Sequence, residues 1–202
     1  MKNLYRSIMM TLSLCAFLAV GYVFVLWVFA QFFSPNRGNA ETVEVDGKVV
    51  GAANVGQAFT QDKYFWGRPS AVDYNAAGSG GSNKGTNNPD YLKDVEGRVD
   101  AFLKAHPYLK KSEVPSEMVT ASGSGLDPDI SPKGAYVQVK RVAKARNLDE
   151  DEVMELVKRT VQTPLLGLFG TEKVNVLKLN TALDRMGENS QPVQNAQAPE
   201  AK

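Results

Sequence analysis

The chain has 202 residues, one cysteine, one histidine and a formal net charge of +1. One cysteine excludes an internal disulfide framework and every cysteine-rich metal site, and one histidine excludes a histidine-cluster metal site. The near-neutral balance argues against a nucleic-acid binder, which needs a concentrated basic face. With 43% hydrophobic and 22% charged residues, wholesale disorder is excluded too.

Charge is unevenly placed. Lys2 and Arg6 open the chain, and no charged side chain follows until Arg37. Ile8 to Phe33 is predominantly apolar, carries no charge, and is long enough to cross a hydrocarbon core of about 30 Å with some tilt. The spacing predicts a retained transmembrane helix over 8–33. A cleaved signal peptide is the rival, but its apolar region runs only about 7–15 residues, and Phe29 spoils the Val28-Phe29-Ala30 cleavage site. Tyr22 and Trp27 fall in the outer half and Gln31 near the interface. Cys15 and Ala19 form a small-xxx-small pair that lets a neighbouring helix approach, unless the pairing is chance. Basic residues flank the amino side, so residues 1–7 are expected in the cytoplasm and everything after the span outside. Residues 35–202 carry 21 basic and 22 acidic side chains, a polar and nearly neutral body.

Residues 34–40 read as a linker. Thr42–Val45 alternates, Asp46-Gly47 is a strong two-residue hairpin signal, and the pattern resumes at Lys48–Val50. Residues 56–71 are dense in aromatics. Residues 75–88 hold four glycines and no bulky apolar side chain, a loop. Asn88-Pro89 caps a helix whose Leu92, Val95, Val99, Phe102 and Leu103 recur on one face up to His106-Pro107. Ser131-Pro132 opens a second helix with Ala135, Val139, Val142 and Arg146 on one side. Asp149 with Glu152 starts a third, lined by Val153, Leu156, Val157 and Val161 and ended by Thr163-Pro164. Val174–Val176 reads as a short strand, and Asn180 as the cap of a last helix through Met186. Residues 187–202, rich in Gln, Asn, Pro and Ala, are expected to be disordered. The class is α+β: one transmembrane helix, one compact extracytoplasmic domain over 41–186, and a tail.

Catalytic signatures are missing. Gly78–Thr86 departs from the phosphate-loop pattern, because Asn83 precedes Lys84 and Gly85 separates Lys84 from Thr86; an anion-binding nest of backbone amides is the functional alternative to a plain loop. His106 at a helix end reads as a cap before it reads as a catalyst. Ser122-Gly-Ser124-Gly is no nucleophile elbow. Asp127 and Asp129 fit a turn as well as a carboxylate pair. Glu150, Asp151 and Glu152 are an acidic first helical turn. On residues alone the domain is a membrane-tethered binding or scaffold module, with a membrane-anchored extracytoplasmic hydrolase using Ser122 or Ser124 as the alternative.

Several strings in register then resemble one family. They are Gly56-Gln57-x-Phe59-Thr60, the run from Tyr64 to Ala71, Ser79–Asn83, Asn88-Pro89, Val114-Pro115, Met118–Ser122, Ser124–Asp127, Ile130-x-Pro132, Arg141–Arg146 and Leu179–Asp184. Together they resemble the C subunit of the Kdp-type potassium-transporting ATPase of bacteria and archaea, from residue 8 to about 186. Trp66 stands where that family suggests a smaller or more polar residue, and the tail after Gly187 has no expected counterpart.

The resemblance implies a non-catalytic accessory subunit that assembles with a channel-like potassium-binding subunit, a P-type catalytic subunit and a small peptide. It implies high-affinity potassium uptake driven by ATP. The phosphorylation motif of P-type pumps is absent from this sequence, so the chemistry falls to a partner. The resemblance also implies a catalytic chaperone that raises the ATP affinity of the catalytic subunit. ATP therefore enters only through that subunit, since the topology puts residues 35–202 outside, and no stably bound cofactor or metal is expected. The family implies an external domain over the channel-like subunit. For the docking surface the expectation is Tyr64, Phe65, Trp66 and Arg68 with the low-bulk Gly80 and Gly81, because aromatics and arginine dominate interfaces. The rival for Phe65 and Trp66 is core packing.

Overall fold

In the computed structural model, residues 2–189 are described. The chain divides into two units between Glu41 and Thr42.

The first unit is dominated by α1, Lys2–Phe33, a helix of 32 residues long and apolar enough to cross a membrane, with no side chain buried within the protein. It starts six residues before the expected Ile8. A π-helical stretch, Phe17–Tyr22, interrupts it. Ala19 sits in that stretch and Cys15 in the α-helical part before it, so the pair straddles a change of winding, since π turns bond five apart rather than four. Ser34 ends the helix, and its amide bonds the Ala30 carbonyl at 3.1 Å.

The second unit opens with the hairpin β1, Thr42–Val45, and β2, Lys48–Ala52. Asp46 (φ +51°) and Gly47 (φ +73°) are both left-handed, as a type I′ turn requires, and only glycine and short polar residues take that conformation cheaply. Residues 53–88 form neither helix nor strand.

Helix α2, Pro89–Ala105, is capped by Asn88, whose Oδ1 accepts from the amides of Asp90 and Tyr91. Its inward face is Val95, Val99, Phe102 and Leu103. Leu92, expected on that face, is exposed, because the core it would meet begins a turn later at Val95.

The helix expected after Ser131 is two helices, α3, Pro132–Tyr136, and α4, Val139–Arg146. The cause is a side chain in the ladder. The Tyr108 hydroxyl donates to the Val137 carbonyl at 2.8 Å and accepts from the Arg141 amide at 3.3 Å, the pair that an unbroken helix would join directly. Gln138 is turned inward at the break, and its Nε2 donates to the Gly134 carbonyl at 2.9 Å.

Helix α5, Glu150–Thr160, is capped by Asp149 through the amides of Asp151 and Glu152. It ends at Thr160, before the expected Thr163-Pro164, because Val161 turns extended and Gln162 pairs with Lys173. Strands β3, Asp129–Ile130, and β4, Val174–Asn175, form a second antiparallel pair. Helix α6, Val176–Asn189, then follows without a loop. Its first turn is held by Asn175, whose Oδ1 accepts from the Lys178 amide at 3.0 Å. Asn180 is therefore no cap: it lies in the second turn, buried, because the apolar row Val176, Leu179 and Leu183 already runs through it. Of the expected tail, residues 187–189 belong to α6, and 190–202 lie outside the described residues. Helices and two small strand pairs make a mixed class, with a core built from α2, α4, α5 and α6 around Phe65.

Candidate partner-docking site

Residues 62–69 cross this core with no strand beside them. A buried backbone must still satisfy its polar groups, and here side chains do so. The Asn180 amide pairs with Phe65 at both ends, Oδ1 accepting from Phe65 N at 2.8 Å and Nδ2 donating to Phe65 O at 3.0 Å. Gln138 does the same for Trp66, at 2.8 and 3.2 Å. Each primary amide thus stands in for a neighbouring strand. Arg141 donates to the carbonyls of Asp62 and Tyr64, and Arg146 donates to Lys63 at 2.7 Å. Downstream, Ser122 N reaches Pro69 O at 3.1 Å and the Tyr74 hydroxyl donates to Arg68 O.

Arg141 is the hub. It is buried, yet among the described residues its only carboxylate is Asp62 at 4.0 Å. Its charge is met instead by the two carbonyls, by Gln138 Oε1 at 2.8 Å, by His106 Nε2 at 2.9 Å and by the Trp66 ring, whose centroid is 4.1 Å away. Burial pulls its pKa down to about 10, which leaves it cationic at neutral pH.

His106 is fixed by the same set. Its Nδ1 lies 2.7 Å from the Phe102 carbonyl and must donate, so Nε2 is the lone pair that accepts from Arg141. It is a neutral imidazole stacked on Phe102, centroids 4.0 Å apart. Burial holds its pKa down to about 4, against the Phe102 carbonyl, which favours the cation.

The sequence-expected docking residues divide accordingly. Phe65 is wholly buried, which corrects its assignment to a surface: pinned at both backbone ends by Asn180, it cannot present its ring to a partner. Trp66 is half-buried, with its indole N–H on the Gln61 carbonyl at 3.0 Å. Tyr64 is half-buried over Arg146 and bonds Asp184 at 3.3 Å. Burial, and then Asp184, pushes its phenol pKa up. Arg68 pairs with Asp127 at 3.0 Å, and its buried Nε has no partner among the described residues.

Gly80 and Gly81 pack on the 122–127 loop, whose Asp127 pairs with Arg68. Gly80 N bonds Ser124 O at 2.8 Å. A Cβ on Gly81 would sit 3.0 Å from Gly123 O, and one on Gly125 (φ +67°) would collide with Val72 and the Gly80 carbonyl. Loops 68–74, 79–81 and 122–127 therefore share one surface. Beside it lies a groove of about 310 Å³, lined by Phe59, Trp66, Arg68, Tyr74, Arg98 and Met118 among others.

The serines expected as nucleophiles are engaged in turns. The Ser122 and Ser124 hydroxyls accept from the amides of Gly125 and Leu126 as turn side chains. Both His106 nitrogens are engaged elsewhere, so neither serine has that base, and the hydrolase reading finds no support. Asp129 pairs with Lys173 and Asp127 with Arg68, which makes them structural carboxylates. Among the described residues no cluster of three or more metal-ligating side chains forms.

Comparison with known proteins decides the family. Residues 4–185 match the model of the K+-transporting ATPase c chain. The chain belongs to that family. It is 63% identical to the potassium-transporting ATPase KdpC subunit of Phocaeicola vulgatus over 187 residues, which is 92% of this chain and 99% of that protein. The subunit of the same name from Bacteroides fragilis is 63% identical over 188 residues, covering 92% and 98%. That of Burkholderia orbicola is 48% identical over 188 residues, covering 91% and 97%. The apolar helix α1 and a membrane transporter family together mark a membrane-anchored protein.

Arg141, Gln138 and Asn180 are what sequence reasoning missed as a set. A signal exists: each is a polar residue on the apolar face of an amphipathic helix, Gln138 and Arg141 three apart beside Val139 and Val142, and Asn180 beside Leu179 and Leu183. Nothing in the sequence shows that all three meet one segment.

His106 makes stability pH-dependent. The unfolded imidazole takes its proton near 6.5 and the folded one only near 4. Stability from this group is therefore complete above pH 6.5 and lost progressively down to about 4, by roughly 3 kcal/mol. Denaturant unfolding of the detergent-solubilised chain across this range, compared with His106→Gln, checks this. The wild-type protein loses the extra stability and the variant does not; parallel pH curves contradict it.

Proposed function

We propose that the chain is a non-catalytic accessory subunit of an ATP-driven, high-affinity potassium uptake complex. It assembles with a channel-like potassium-binding subunit, a P-type catalytic subunit and a small peptide subunit, and α1 lies in membrane lipid against partner helices, with Cys15 and Ala19 at the contact. The observation that carries the reading is the family match over residues 4–185. The site supports it, because its polar groups are spent on holding the 62–69 segment.

Residues 1–7 are cytoplasmic and the folded domain is extracytoplasmic, since Lys2 and Arg6 sit at the amino end of α1 and only Arg37 follows closely. ATP binds the catalytic subunit. This chain raises that affinity through assembly, as a catalytic chaperone acting from the other side of the membrane.

Two experiments test this. Isolated in mild detergent from cells making the transporter, the chain co-purifies with a channel-like protein and a P-type ATPase; isolation without either sinks the reading. Arg68→Ala, and separately Gly80→Ala, whose added Cβ meets only Val72 at 3.8 Å, lower that recovery with melting unchanged. Early melting that tracks the loss makes these residues structural.

For orientation, protease added to intact spheroplasts digests the domain. Protection until the membrane is broken reverses the topology.

A further inference from the structure

The groove of about 310 Å³ has two arginines in its wall, Arg68 from the 62–69 segment and Arg98 from α2. Phe59, Trp66, Tyr74 and Phe102 give it aromatic sides. Among the described residues no acidic side chain lines it. An apolar cleft of this size with a few convergent polar groups has the character of a small-molecule site.

Neither guanidinium is fully engaged. Arg68 gives Nη1 to Asp127 at 3.0 Å. Its Nε is buried without an acceptor among the described residues, and its Nη2 bonds nothing there either. Nε and Nη2 form the side-on edge of the guanidinium, which holds a carboxylate by two parallel N–H bonds. Folded proteins rarely leave a buried donor unpaired, and this one sits in the wall of a groove. Arg98 makes one long bond, from Nη1 to the Val119 carbonyl at 3.4 Å. Asp94, one turn earlier on α2, pairs with Lys84 at 2.9 Å instead. The polar ends of Trp66 and Tyr74 are engaged on the carbonyls of Gln61 and Arg68, so these residues offer the groove rings and no donor.

We propose that this groove binds an aromatic carboxylate, a small organic acid whose carboxylate is taken by Arg68 and Arg98 and whose ring packs among the aromatic sides. Charge selects the monoanion. Asp127 neutralises one of the two cations, which leaves a surplus of one, whereas a phosphate monoester carries about two negative charges. Shape selects the ring. Trp66 and Phe102 already meet edge to face, centroids 6.3 Å apart, and a further aromatic ring extends that packing. The apolar wall strengthens the charge-assisted bonds relative to water. The groove lies wholly within the second unit and needs no other subunit, so the site is independent of the accessory role.

The test uses the whole chain in a non-ionic detergent, with phenylacetate, its neutral analogue phenylacetamide, and acetate as probes. Ligand-observed NMR reads their affinities. Phenylacetate binds in the millimolar range or tighter, and each of the other two binds roughly tenfold more weakly, one lacking the charge and the other the ring. Arg98→Gln keeps a good helix former on α2 and lowers phenylacetate affinity about tenfold with melting unchanged. Arg68→Lys keeps a cation for Asp127 but removes the side-on edge, with the same loss. If both variants melt early, nuclear Overhauser contacts between the phenylacetate ring and the Trp66 indole of the wild-type chain decide. Phenylacetamide or acetate binding as tightly as phenylacetate, a folded variant of either arginine with unchanged affinity, absence of the Trp66 contacts, or no binding of phenylacetate overturns the inference and leaves the accessory role standing.

Discussion

A buried guanidinium holds this domain together. Arg141 sits at the crossing of α4, the end of α2 and the irregular segment 62–69, and its donors join Asp62, Tyr64, Gln138 and His106. Removing it would leave the half-buried Tyr64 carbonyl and the buried His106 Nε2 without their donor, and a buried acceptor left unpaired costs about 1–3 kcal/mol. The helix break at Val137 serves the same end. The Tyr108 hydroxyl opens the ladder there, Gln138 turns inward, and the hub acquires the amide that pairs Trp66.

This construction explains how an aromatic segment without strand partners can cross a core. The amides of Asn180 and Gln138 each supply one donor and one acceptor at nearly the spacing of a peptide group. Two consecutive residues, Phe65 and Trp66, are thereby paired as if in a sheet. Phe65 goes inward, and Trp66 and Arg68 stay at the edge of the groove, held from behind by Arg141 and from the side by Asp127. The one histidine is a neutral acceptor toward Arg141, and Ser122, Ser124, Asp127 and Asp129 are turn and ion-pair residues.

Much of this was legible. The α1 span, the Asp46-Gly47 hairpin and the caps Asn88, Ser131 and Asp149 follow from local rules, because turn sterics and unpaired helix-end amides act over three or four residues. Non-local geometry was not legible. Tyr108 and the 137–141 ladder are far apart in sequence, so the split of the Ser131–Arg146 helix had no local mark. Asn180 has the residue type of a cap, and Asn175 took the role because the apolar row of α6 begins at Val176. Phe65 and Trp66 are neighbours of one chemical type; only the partners of their backbone groups separate a core residue from an edge residue.

The central claim is that side-chain amides and arginines replace a missing strand along 62–69. Residue-resolved hydrogen exchange of the intact chain in detergent tests it most directly. The account predicts that the amides of Phe65 and Trp66 exchange only with global unfolding, as slowly as the interior of α5, although they lie in no helix or strand. Exchange at these two positions as fast as in the 75–88 loop would contradict it.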